Sequence, residues 1–395
     1  MKLEDYSIYV HIPFCNSKCY YCDFCSFVEN ENNIKKYFNS LKNEIKQNKI
    51  KNKIKSIYFG GGTPSSVNEK YIINILKLIL NNFNVEKNAE ITIEANPNSL
   101  SIKSLQAFYD AGFNRLSIGV QTTNKKSLKY IGRITEKNTL KNYKKNIKNI
   151  LKNAKKIGFL NISTDLILGL PFNNDKQLKK DLKFLIKYCN HISTYMLMVE
   201  EGTKLAKFNL NLEEVDENSA RQYELVYNFL KDKNFERYEV SNFAKNNAYS
   251  KHNVNYWQRK NYLGFGLSAH SFINPYRFYN TSNLQKYIEY YSNPKLEINK
   301  KSEQEILQEV KRKEIVKVEK LSKKESMEEK IMLSLRCQDG LDLNEFKDEF
   351  FDLLSKKNDE INLLLKNDLI ELKENKIKLT EKGFLVANQV ILKLI

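Results

Sequence analysis

The sequence predicts an α/β protein: a core of parallel strands, followed by a smaller, mostly helical region at the carboxyl end. Three observations lead there. β-rich runs and amphipathic helical stretches form six βα units in series between residue 6 and about 200. The polar residues in and after those runs gather at their carboxyl ends. Beyond about residue 205 the alternation fades into a helix, a Tyr/Asn/Gly-rich segment and a charged stretch that leads into a helical pattern.

The first run, "SIYVHI" (7–12), enters a cysteine-rich loop, and a helical segment follows near 33–48. "SIYFG" (56–60) ends in Gly60-Gly61-Gly62-Thr63-Pro64, ahead of a helix near 68–82. "EITIEAN" (90–96) carries Glu94 and precedes a helix at 101–110. "RLSIGVQ" (115–121) ends at Gln121, with two helices expected between 123 and 156. "NISTDLIL" (161–168) carries Asp165 and closes on Gly169-Leu170-Pro171 before a helix at 174–188; "HISTYMLM" (191–198) is the sixth. Repeated βα units imply a parallel sheet, as a barrel, a partial barrel or a doubly wound sheet. All three collect ligands at the carboxyl ends of the strands, so one shared site is expected there. A helix over 214–233 follows, and the last helical region spans about 326–395.

At 395 residues the chain can bury a large core in two or three domains. No apolar run approaches a membrane span and the first residues do not read as an export signal, so a cytoplasmic protein is expected. The net charge of +18 raises the question of a polyanionic partner. Lys and Asn are in excess almost everywhere, Arg is scarce, and the lysine runs lack interleaved aromatics; this reads as solvated helix faces, with no nucleic-acid partner expected.

Four of the six cysteines stand in "HIPFCNSKCYYCDFCS" (11–26). Clustered thiols in a chain read as cytosolic point to metal ligation rather than disulfides. Cys15, Cys19 and Cys22 follow C-x3-C-x2-C, and Cys25 adds a fourth sulfur. Four thiolates close a zinc site or fully ligate a four-iron cluster, whereas three leave one iron open to a small molecule.

C-x3-C-x2-C after a first strand, with Tyr21 before the third cysteine and "GGGTP" after the second strand, resembles the radical S-adenosylmethionine superfamily. The resemblance implies a partial (β/α)6 barrel. It also implies a [4Fe–4S] cluster on Cys15, Cys19 and Cys22, with Cys25 a bystander and S-adenosylmethionine on the fourth iron.

"YVHIPFC", "YFGGGTPS", "TIEANP", "LSIGVQ", "NISTDLILGLP", "YEVSNFA", "HNVNYW", "YLGFGLSAHS" and "LTEKGFLVANQVI" are together similar to the oxygen-independent coproporphyrinogen III oxidases and the HemW-type heme chaperones. The resemblance spans nearly the whole chain. It implies a core barrel over 1–235, a chaperone-type segment over 236–305 and a helical domain over 306–395. It further implies cofactor contacts from Tyr9, Tyr21, Gly61, Gly62, Thr63, Glu94, Gln121, Arg133 and Asp165. Carboxylates suit an ammonium or ribose hydroxyls, and a guanidinium suits a carboxylate. The family carries His two residues after the Arg of "GRI"; this chain has Thr135.

Three features favour the chaperone branch. Phe24 stands where the oxidases carry an extra cysteine, the position of Cys15 leaves no room for the oxidases' long leading segment, and "HNVNYW" matches the chaperone motif. The resemblance then implies heme on His252, with Tyr256 and Trp257 against the porphyrin plane, and no assigned catalytic residue. It implies an acceptor protein for the heme, an electron donor for the cluster, and contact with a membrane only peripherally, through the acceptor. The alternatives are the oxidase itself and a radical enzyme acting on RNA or a peptide.

Overall fold

The computed structural model describes residues 4–134, 143–293, 301–346 and 357–395. Thr135 lies outside the described residues. Six strands, β1 (Tyr6–Ile12), β2 (Lys53–Gly61), β3 (Asn84–Ala95), β4 (Arg115–Gln121), β5 (Asn161–Leu168) and β6 (His191–Met196), pair in parallel in chain order. Helices α1 (Glu31–Gln47), α2 (Glu69–Asn82), α3 (Ile102–Asp110), α4 (Lys125–Tyr130), α5 (Tyr143–Ile157) and α6 (Asp175–Leu185) lie between them. The sheet does not close on itself, so the barrel is partial.

The strands alternate between two kinds of interior. Ile8, Val10 and Ile12 of β1 are fully buried in the apolar core, as are Ile57 and Phe59 of β2. Between them Ser7, Tyr9 and His11, and likewise Ser56, Tyr58 and Gly60, take the other face, because successive side chains of a strand point to opposite sides. The abundant asparagines have a local use: Asn30, Asn68, Asn124 and Asn174 each cap a helix by accepting from a backbone N–H of its first turn.

After α7 (Leu212–Lys231) the chain adds strands to both edges of the same sheet, giving twelve in all among the described residues. β7 (Glu236–Glu239) and β8 (Asn242–Ala244) extend the β6 edge; β9 (Tyr262–Phe265), β10 (His270–Ile273), β11 (Tyr276–Asn280) and β12 (Val316–Lys320) extend the β1 edge. Between β8 and β9 lies α8 (Lys251–Trp257), the "KHNVNYW" stretch. A second core, from Ile331 to Leu394, joins helices to a three-stranded sheet at the carboxyl end. Among the described residues no helix is long and apolar enough to cross a membrane.

Candidate functional site

The cysteine loop is clasped at its base. Cys15 N–H donates to Phe27 O (2.9 Å) and Phe27 N–H to Pro13 O (2.7 Å), so the chain leaves and returns at one point on top of β1. The glycine turn after β2 packs directly beneath. Gly62 N–H donates to Ile12 O (2.9 Å) and Thr63 N–H to Phe14 O (2.8 Å). Gly61 has φ +109°, and a Cβ there would come within 2.5 Å of the His11 ring. Only glycine fits that approach.

Cys15, Cys19 and Cys22 are partly exposed and within electrostatic reach of one another, although among the described residues no three such ligands converge on a single ion's position. Burial raises the pKa of both Cys15 and Cys22. Cys15 Sγ lies 3.4 Å from Thr63 Oγ1. Cys25 is turned elsewhere: its Sγ approaches Ser282 O (3.9 Å), and its backbone carbonyl accepts from His11 Nε2 (2.8 Å). Since a carbonyl only accepts, His11 carries its proton on Nε2, and Nδ1 takes the Tyr9 hydroxyl (3.0 Å). Burial, opposed by that carbonyl bond, lowers the His11 pKa to about 4 and keeps the ring neutral.

The strand ends below the loop, with the segment after α4, carry most of the remaining predicted residues. Glu94 accepts from Tyr58 OH (2.6 Å); burial pushes its pKa up to about 7, against the Tyr58 bond and with Asp165 adding repulsion. Asp165, paired in register with Gly119 and Ser193, is pushed up to about 6 by burial, with Ser193, Arg115 and Arg133 pulling the other way. A β-bulge between Gly119 and Gln121 leaves Gln121 at φ +67°, which re-aims the end of β4. Arg133 donates to Gly119 O and, through Nη1, to Cys19 Sγ (3.6 Å). Tyr21 shares this corner as a charge neighbour of Arg133 and Cys19.

A cationic sulfonium amino acid with ribose hydroxyls fits these residues. Gln121 Oε1, Arg133 Nε and Asp165 Oδ1 are buried polar atoms without a partner, the condition a ligand would relieve. Cys15, Cys19 and Cys22 are charge neighbours of one another, while Cys25 Sγ turns toward Ser282 O; three thiolates would leave one iron of a four-iron cluster open.

His252 is at the other end of the barrel. α8 lies across the amino ends of the strands; Lys251 N–H and His252 N–H both donate to the Glu90 carboxylate (3.1 Å each). The His252 ring is fully buried, with Nδ1 2.9 Å from Ser56 Oγ and Nε2 2.8 Å from Tyr256 OH. It stacks on Tyr58, whose hydroxyl reaches Glu94. Burial lowers its pKa to about 3. Both ring nitrogens are thus taken up by the protein itself. Of the four histidines, His270 alone presents an exposed ring, lying parallel to Tyr279 at 4.6 Å.

Sequence reading missed Tyr58, His11, Arg115 and Ser193. The available signal was polar residues spaced by two inside apolar strands, as in Ser56-Ile57-Tyr58 and Arg115-Leu116-Ser117.

Residues 9–185 match the Radical SAM superfamily and residues 321–386 the HemN C-terminal domain. The heme chaperone HemW of Lactococcus lactis is 33% identical over 390 residues, covering 97% of this chain and 96% of that protein. The heme chaperone HemW of Bacillus subtilis is 33% identical over 394 residues, 97% of each. Among solved structures, the radical SAM enzyme coproporphyrinogen III oxidase (HemN) from Escherichia coli superimposes with a TM-score of 0.79 at 23% identity, over 100% of this chain and 91% of that one. That last likeness is one of fold.

Proposed function

Because the chain belongs to the radical SAM superfamily, in the family of HemW heme chaperones, we propose that it binds a [4Fe–4S] cluster, S-adenosylmethionine and heme, and passes heme to an acceptor protein. The observation that carries the chaperone reading is the likeness to two bacterial heme chaperones over 97% of the chain.

Cys15, Cys19 and Cys22 would hold the cluster. When bound, cluster and cofactor together supply one-electron reduction of a sulfonium. Around them the chain's own residues bind and orient: Glu94 and Asp165 take the ammonium and ribose hydroxyls, Arg133 the carboxylate, and Gln121 both donates and accepts. The Gly61–Thr63 turn brings backbone groups close, and Tyr9 holds His11, which in turn fixes the end of the cysteine loop. Tyr21 closes the corner beside Arg133.

Heme ligation by His252 would require α8 to give up Ser56, so the resting position of that residue supports a wall-building role and leaves His270 as the accessible imidazole. Residues 236–305 then serve both to floor the barrel and to present a heme surface, and residues 306–395 to engage the acceptor.

The test is anaerobic reconstitution followed by heme in one vessel and coproporphyrinogen III, with reductant and cofactor, in another. The proposal predicts stoichiometric heme binding, transfer to an apo-heme protein, and no vinyl product. Sustained conversion of propionates to vinyl groups would replace it with the oxidase reading.

A further inference from the structure

A series of aromatic rings leads from the cysteine loop to the surface. Tyr20 packs edge-on against Phe208 (5.8 Å between centroids), Phe208 against Tyr130 (5.2 Å), and Tyr130 against Phe172 (5.6 Å). Each ring comes from a different part of the chain: the cysteine loop, the segment before α7, α4, and the loop between β5 and α6.

The inner end is fixed. Tyr20 N–H donates to Ile131 O (2.9 Å), and its ring lies against Gly132, where φ is +69° and a Cβ would come within 2.5 Å. The outer end is open. Phe172 is 59% exposed and has φ +65°, a conformation that a bulky residue rarely holds. Strain and exposure in one large apolar side chain are not explained by packing.

Lysines outnumber acids around this outlet. Lys125, Lys126 and Lys129 of α4 are exposed beside Tyr130, and Lys204 and Lys207 are exposed in the segment that supplies Phe208. Lys204 Nζ sits 3.7 Å from the centroid of Tyr20. The acids nearby in sequence are Asp23 in the cysteine loop, Asp175, which pairs with Arg221, and Glu200 and Glu201.

We propose that this patch is the docking face for an acidic protein carrying a low-potential one-electron centre. The inference rests on the reading of Cys15, Cys19 and Cys22 as cluster ligands. The carrier loses one electron and the cluster gains it; no bond is made or broken and no proton moves. Lysines on α4 and on the 204–207 segment steer an acidic partner. The exposed Phe172 supplies an apolar centre suited to the small, transient contacts of redox partners. Between that contact and Tyr20 the packed rings replace water.

The experiment uses a flavodoxin as the acidic carrier and photoreduced deazaflavin as a small uncharged donor. Binding of oxidised flavodoxin to the cluster-free chain is measured by calorimetry, and cluster reduction by loss of visible absorbance after reconstitution. The triple variant Lys125→Glu, Lys126→Glu, Lys129→Glu is expected to weaken binding and slow flavodoxin-driven reduction about tenfold or more at low ionic strength. The gap should shrink in salt. Deazaflavin reduction should stay within about twofold of the parent, as should both flavodoxin readouts in a charge-matched control, Lys366→Glu, Lys373→Glu, Lys382→Glu. Phe172→Ala should slow flavodoxin-driven reduction without changing deazaflavin reduction. Equal losses in the control triple, or undiminished flavodoxin binding in the α4 triple, would overturn the docking face. A chain that takes up no iron would overturn the cluster reading instead, while the calorimetry still reports on docking.

Discussion

The guanidinium of Arg133 reaches the thiol of Cys19, Nη1 to Sγ 3.6 Å, from 114 residues further along the chain. The same side chain donates to Gly119 O. One residue therefore ties the cysteine loop to the end of β4, and its Nε remains unpartnered.

Arg133→Ala is expected to leave iron uptake largely intact and weaken S-adenosylmethionine binding. A hydrogen bond to a charged group contributes about 1.5–3 kcal/mol, or about 10- to 100-fold in affinity. Calorimetry on the reconstituted protein measures it. Unchanged affinity would remove Arg133 from the cofactor site.

Cofactor binding should strengthen with pH. Glu94 and Asp165 titrate near 7 and 6 because burial penalises their charged forms, and a cationic ligand needs them ionised. Affinity should rise as pH climbs from about 5 to 7.5, with protons released on binding. The cofactor-free protein should show the opposite trend. A carboxyl whose folded pKa is raised contributes stability in full below its unfolded value and loses it as pH rises through the folded one, so these two groups make the empty chain less stable between about pH 4 and 7. Calorimetry in buffers of different ionisation enthalpy, with thermal melts across that range, tests both signs.

His252→Ala should lower the stability of the cofactor-free chain by about 2–4 kcal/mol, through two lost hydrogen bonds and a cavity beneath Tyr58. His270→Ala should cost little stability and shift the Soret band of added heme. The reverse pattern, a stable His252→Ala protein with altered heme spectra, would return the heme ligand to α8.

Gly61→Ala should be far more harmful than its size suggests. The added Cβ meets the His11 ring at a φ that alanine avoids. We expect reduced stability and loss of cofactor binding, read by melting and calorimetry. Near-parental behaviour would show that the turn can shift away from His11.

The six parallel strands were legible because each is long enough to show an apolar run, and the polar residues proposed to meet the cofactor were legible where they sit at strand ends. "YSIYVHI" and "NISTDLIL" announce themselves. The edge strands were not legible: Asn242–Ala244 and Tyr262–Phe265 span three and four residues, too short for a period of two to register. The motif singles out His252 by residue type and spacing, which say nothing of its burial. Its ring partner Ser56 lies 196 residues away in sequence, and only the sheet brings them together. Tyr20 went unnoticed for the same reason, since its neighbours Phe208 and Gly132 come from distant segments.

The most direct test of the three-thiolate site is iron content after anaerobic reconstitution of four single variants, Cys15→Ala, Cys19→Ala, Cys22→Ala and Cys25→Ala. About four irons per chain are expected in the parent and in Cys25→Ala, with loss of the cluster in each of the other three. Loss of the cluster in Cys25→Ala, or its retention in any of the other three, would contradict the three-thiolate site.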